Sequence, residues 1–179
     1  YKGDYNVYLN DPRNINLGKK LITNKKILIE KERLKEINET EYHEILINHT
    51  TPYSPFDILE NKSLLLENNF DNLNAIDWDK GCYVGQEITA RMKYRGLLKK
   101  KLYALKIKSG DVLEGDELIV DNKKIGTIVS KANSNIFAAL NINFVNEIKN
   151  KNQNLVINDS LSFDFLNWKF FSIKTYWNY

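Results

Sequence analysis

Polar and apolar residues change their rhythm part-way along the chain. From residue 102 onward, short β-type runs recur at 102–108, 117–120, 124–130, 136–142, 154–158 and 161–174. Turn residues separate them at Ser109-Gly110-Asp111, Glu114-Gly115-Asp116, Asp121-Asn122 and Asn133-Ser134-Asn135. Short strands at this spacing predict a small antiparallel barrel or sandwich. The Asn-rich patch at 141–154 reads as loop. Upstream the texture is mixed. Residues 5–9 and 26–30 predict strands, with Asp11-Pro12-Arg13 as a turn signal between them, followed by Leu17-Gly18-Lys19-Lys20-Leu21-Ile22. Residues 31–38 are charged and read as helical. Thr40 is placed to cap a helix over 41–49 with Tyr42, Ile45 and Leu46 on one face, and Thr51-Pro52-Tyr53-Ser54-Pro55 stops it. Residues 56–79 read as mixed loop and short elements, and a helix over 86–94 ends at Gly96. The fold class is α+β. A boundary near Gly96–Lys101 divides an α/β region over 1–96 from a β-barrel over 97–179.

Composition narrows the class. A hydrophobic content of 42% with 12% aromatic residues is that of a folded globular chain and argues against disorder. No apolar run approaches the roughly 20 residues needed to cross a bilayer, and no signal peptide opens the chain. The expectation is a cytoplasmic protein without a membrane partner, with an organelle as the alternative. A net charge of +3 is too mild for a broad nucleic-acid footprint. Arginine is confined to Arg13, Arg33, Arg91 and Arg95, so planar recognition is worth seeking at the last two, which follow the central motif. Cys82 is the one cysteine, which excludes an intramolecular disulfide and a zinc site built from several cysteines of this chain. The chain opens at Tyr1 and its one methionine is Met92, so it reads as a piece of a longer protein.

The candidate chemistry centres on Lys80-Gly81-Cys82-Tyr83-Val84-Gly85-Gln86-Glu87. Two glycines permit positive φ and close backbone approach on either side of a Cys-Tyr pair. The segment precedes a helix, whose first amides and positive end can face a ligand. Spacing alone reads better as a tight turn around a buried thiol. Neither His43 nor His49 is near in sequence to act as an activating base.

The run from Glu67 to Leu98, including Glu67-Asn68-Asn69-Phe70-Asp71 and the motif through Ile88-Thr89-Ala90-Arg91, resembles the signature of the YgfZ family, which is related to the glycine-cleavage T-protein, an aminomethyltransferase. Weaker resemblance extends to Asp11-Pro12-Arg13 with Leu17-Gly18, and to Ile125-Gly126-Thr127-Ile128-Val129-Ser130. The resemblance implies the C-terminal part of an aminomethyltransferase-like folate-binding fold followed by a small antiparallel β-barrel. It implies tetrahydrofolate, or a one-carbon derivative, as cofactor. It also implies a role in assembling or repairing iron–sulfur clusters in target enzymes, including tRNA-modifying ones. Cys82 is then the functional thiol. Glu67 matches the glutamate that binds the pterin ring in T-proteins, and Lys80, Gly81, Tyr83, Gly85, Gln86 and Glu87 form one wall of the folate site. The sequence departs from the family at Leu46 and Thr50, where relatives often carry an Arg and a Gly-x-Pro.

From Ile88 to Gly110 there is no acidic residue, while Arg91, Lys93, Arg95, Lys99, Lys100, Lys101, Lys106 and Lys108 are basic and Tyr94 and Tyr103 are interleaved. Three readings compete: a solvated face, an anion site for the glutamate tail of folate at Arg91 and Arg95, and an RNA backbone contact. Three functions follow. The first is a folate-binding accessory factor with iron–sulfur target or assembly proteins as partners and a transient cluster at Cys82. The second is a folate-dependent aminomethyltransferase. The third is an RNA-binding module.

Overall fold

A computed structural model describes residues 6–24, 35–60, 62–151, 154–158 and 160–166. Strand β1 (Asn6–Asn10) and strand β2 (Lys19–Thr23) form an antiparallel hairpin. Helix α1 (Glu39–Asn48) and helix α2 (Gln86–Tyr94) lie before the main sheet. That sheet holds β3 (Lys100–Ser109), β4 (Glu117–Val120), β5 (Lys123–Ala132), β6 (Asn135–Asn141), β7 (Leu155–Asn158) and β8 (Leu161–Phe165). Helix α3 (Ile142–Asn150) is inserted between β6 and β7. The spatial order is β4-β5-β6-β3-β8-β7, antiparallel throughout, and β4 approaches β7 so that the sheet nearly closes into a barrel. The chain is therefore α+β with a barrel-like antiparallel sheet.

Side-chain alternation explains why β3 is buried on both faces. Tyr103 and Leu105 face the main core with Leu118, Ile128, Ile136, Leu140, Leu155 and Phe163. Leu102 and Ala104 point the other way, onto Ala132, Phe137 and Ile47 of α1. A helix on the outer surface is what lets a barrel strand carry apolar residues on both sides. The hairpin β4–β5 turns on Asp121 and Asn122, both with positive φ (48° and 60°), as a two-residue turn that matches strand twist requires. At Gly126 an added Cβ would lie 2.5 Å from the Ala139 carbonyl oxygen, so the close approach of β5 to β6 there admits only glycine.

Four sequence expectations need correction. The Asn-rich patch is not a loop: α3 occupies most of it. Asn141 caps the helix, accepting from the amides of Asn143 (2.9 Å) and Phe144 (3.2 Å), and Val145 and Ile148 are buried in the main core. Within the charged stretch 31–38, residues 35–38 take no helical conformation, and α1 begins at Glu39. Asn38 rather than Thr40 is its cap, in a reciprocal capping box with Glu41. The buried face of α1 is His43, Leu46 and Ile47, while Ile45 is exposed, so the helix is rotated from the face expected. The strand expected at 26–30, residues 31–34 and the part of the last run beyond Leu166 lie outside the described residues.

Candidate functional site

The motif forms an exposed segment that ends on α2. Cys82 is exposed, which removes the alternative of a buried thiol. Val84 is fully exposed, at 103%. Gly85 takes the left-handed conformation (φ 86°) and starts α2 without a side-chain cap. Gly81 does not adopt positive φ, and a Cβ there would meet nothing within 4 Å. The conformational need for glycine therefore falls on Gly85 alone. The turn is closed by the Gln86 amide donating to the Tyr83 carbonyl at 3.2 Å. The Lys80 ammonium lies 4.4 Å from the Tyr83 ring centroid, a cation–π contact inside the loop. Glu87 pairs with Arg91 one turn on at 2.7 Å, with both side chains exposed, so this ion pair contributes little to stability. Arg95 is exposed and has no ion-pair partner among the described residues.

Glu67 sits elsewhere. Its carbonyl accepts the Leu102 amide at 2.8 Å, and the Asn69 side-chain amide donates to the Leu102 carbonyl at 2.7 Å. These two bonds fasten the Glu67–Asn69 turn to the start of β3. Asn69 is fully buried with φ 63°, and its Oδ1 has no hydrogen-bond partner among the described residues. The Glu67 carboxylate, 18% exposed, pairs with Lys100 at 3.3 Å. It lines a pocket of about 190 Å³ whose apolar wall is Leu59, Leu102, Val129 and Ala139, with Lys62, Lys100 and Lys101 among its charged groups. No residue of the Lys80–Glu87 motif lines that pocket. The sequence-predicted residues thus occupy two places: Glu67 at the pocket, and Cys82 with its neighbours on the exposed segment.

Three lysines of the basic run are paired with acids from other parts of the chain. Lys100 meets Glu67, Lys101 meets Asp71 (3.2 Å) and Lys108 meets Asp164 (3.0 Å). The solvated-face reading therefore describes Lys108, and the local charge near the motif is smaller than the sequence count suggests.

Sequence reasoning missed a buried junction. Asp57, 2% exposed, accepts from the Tyr53 amide at 2.7 Å and from the Ser130 hydroxyl, and its Oδ1 lies 2.9 Å from His43 Nε2. It joins α1, the turn after it and β5. No signal marks Asp57 in sequence, because its partners lie on separate elements. The pair Trp78 and Lys93 was missed in the same way: the Lys93 ammonium lies 3.5 Å from the Trp78 ring centroid. Among the described residues no group of three or more His, Cys, Asp or Glu side chains is arranged to hold a metal, and no helix is long and apolar enough to cross a membrane.

Fold and site together define an α+β protein that presents a single exposed thiol beside a helix start. No protein-family model matches the chain. The chain is 35% identical over 121 residues, 64% of its length and 30% of the relative's, to the mitochondrial iron–sulfur cluster assembly factor IBA57 homolog of Dictyostelium discoideum. It is 30% identical over 103 residues to the mitochondrial iron–sulfur cluster assembly factor IBA57 of Mus musculus, and 30% identical over 102 residues to that of Homo sapiens, covering 56% of this chain and 28% of each relative. The chain spans less than a third of the length of these relatives. These relatives are iron–sulfur cluster assembly factors, in agreement with the iron–sulfur role that the motif's resemblance implies. Their names mention neither folate nor tRNA, and they place those proteins in mitochondria, whereas the sequence alone pointed to the cytoplasm with an organelle as the alternative.

Proposed function

We propose that this chain is part of a tetrahydrofolate-binding accessory factor of YgfZ type that assists assembly or repair of iron–sulfur clusters in target enzymes, tRNA-modifying ones among them. The observation that carries the reading is the exposed, solitary Cys82 on a segment ending at an uncapped helix start, together with the relatives' printed role. A thiolate there supplies one ligand to a cluster in transit. One cysteine cannot complete a four-thiolate set, so a partner provides the remaining ligands and the cluster is cargo. Target or assembly proteins are therefore the partners, and exposure of Val84 beside the thiol leaves room for their approach.

Tetrahydrofolate is the cofactor in this reading. The pocket at Glu67 fits a ring rather than the whole molecule, since sites for drug-sized ligands run to roughly 300–1,000 Å³ against the 190 Å³ here. With one salt bridge to Lys100 made, the Glu67 carboxylate retains lone pairs that can accept from an aminopyrimidine edge. Arg95 is the residue available to an anionic tail, with Arg91 joining it on giving up its pair with Glu87.

Two measurements test the proposal. In cells lacking the protein, Cys82→Ala is expected to leave cluster-enzyme activity unrestored, whereas full restoration removes the thiol from the function. Calorimetric titration of the full-length protein with tetrahydrofolate is expected to show binding that Glu67→Ala weakens about tenfold or more, the loss of a charge-assisted hydrogen bond. A wild-type protein that takes up no tetrahydrofolate ends the folate half of the proposal.

A further inference from the structure

The segment that carries Cys82 is poorly anchored by its own residues. Its internal contacts are the Lys80–Tyr83 stack and the Gln86–Tyr83 turn bond. The helix it runs into buries only Thr89, whose hydroxyl bonds back to the Gly85 carbonyl at 3.2 Å. A short helix with one buried side chain does not hold its own start in place. Two aromatic rings and one cation bridge the gap. Trp78 lies just before the segment. Tyr94 lies in the last turn of α2, with its ring centroid 6.4 Å from that of Trp78 and the planes at 73°. The Lys93 ammonium sits 3.5 Å from the Trp78 centroid and 5.5 Å from the Tyr94 centroid. Both distances fall within the roughly 6 Å over which a ring attracts a cation. Loss of water lowers the Lys93 pKa below its ordinary value, while the charges of Asp71 and Asp79 oppose that shift. Asp79 itself opens the segment.

We propose that Lys93 is a positioning residue for the thiol: its ammonium, held against Trp78 and Tyr94, ties the entry of the Asp79–Gly85 segment to the last turn of the helix that follows it, and so limits where Cys82 is presented. The relevance of the clamp to function rests on the reading of Cys82 given above; the clamp itself does not. Trp78 is on the incoming side and Lys93 is in the last turn of α2, so the contact closes the whole stretch from Trp78 through the segment and the helix. Arginine at this position keeps a cation over the rings, and methionine keeps length without charge.

Cys82 makes the test direct: in the full-length protein, with any cysteine outside this chain replaced by serine, a nitroxide label goes to Cys82 alone. The wild-type label is expected to show a restricted electron paramagnetic resonance line shape. Lys93→Met and Trp78→Leu should raise the mobile fraction about fivefold, the population shift of one moderately desolvated cation–π contact. Lys93→Arg should return the wild-type line shape, and the thermal midpoint of the barrel should stay unchanged in all three. An unchanged line shape in Lys93→Met overturns the clamp. So does an Arg variant as mobile as the Met variant, or mobility that appears only alongside a fall in the thermal midpoint. In cells, Lys93→Met should restore less cluster-enzyme activity than Lys93→Arg. If Cys82→Ala restores activity fully, the role of the thiol falls, and the line shapes still decide the clamp.

Discussion

At the scale of single residues, the firmest ionic contact lies in the Asp-Pro-Arg turn. The Arg13 guanidinium donates to both Asp11 oxygens (Nε to Oδ1 at 3.0 Å, Nη2 to Oδ2 at 2.8 Å), the Arg13 amide donates to Oδ1, and Lys20 approaches at 3.4 Å. The Arg13 side-chain hydrogen bonds, foremost among these contacts, hold the Asp11 carboxyl well below the usual carboxylate range, against the opposing effect of burial. A depressed folded pKa stabilises the protein above the unfolded value of about 4, and that contribution is lost as pH falls through the folded value. Asp11→Asn should therefore lower stability by about 1–2 kcal/mol at neutral pH, with the partners' partial exposure discounted. The gap between variant and wild type should narrow steadily below pH 4. Urea midpoints at pH 7 and pH 2.5 check both parts. The Asp-Pro-Arg turn was legible as a turn, but the double grip of Arg13 on Asp11 was not, because it depends on how the loop folds back on itself.

At the scale of elements, legibility followed how local the cause was. The strands of the barrel alternate in sequence and are punctuated by Asp121-Asn122 and Asn133, all with positive φ, so period and turn chemistry agree. Helix α3 was hidden because asparagine is a loop residue in bulk and a cap in one position. The cap at Asn141 and the spacing of Phe144, Val145 and Ile148 were the available signal. Asn141→Ala should cost about 1 kcal/mol, read as a lower thermal midpoint, with loss of helical circular dichroism confined to α3 if the barrel persists. The face of α1 escaped sequence reading because His43 is buried by its tie to Asp57, and polarity alone assigns a histidine to solvent. The candidate thiol was legible through its motif. Its exposure was not, because a glycine-flanked cysteine is written the same way whether it is covered or open.

At the scale of the molecule, cohesion is uneven. The main core and the smaller cluster under α1 both run through β3, and the Asp57 junction ties α1 to β5. The segment 79–85 shares none of these ties. Amide hydrogen exchange should accordingly be slowest in β3, β5 and β6 and faster by several orders of magnitude across 79–85; comparable protection in the two regions would contradict this division. The thiol proposed to meet a partner is thus carried on a segment outside these ties. The strand order has a further consequence during synthesis. Strand β3 is the first of the barrel to leave the ribosome, yet one of its edges waits for β8, made some fifty residues later. Until then the nascent chain displays an unpaired edge over Leu105–Ser109 that can pair with neighbouring chains. Arrested chains lacking Leu161–Phe165 should need a holdase to stay in solution.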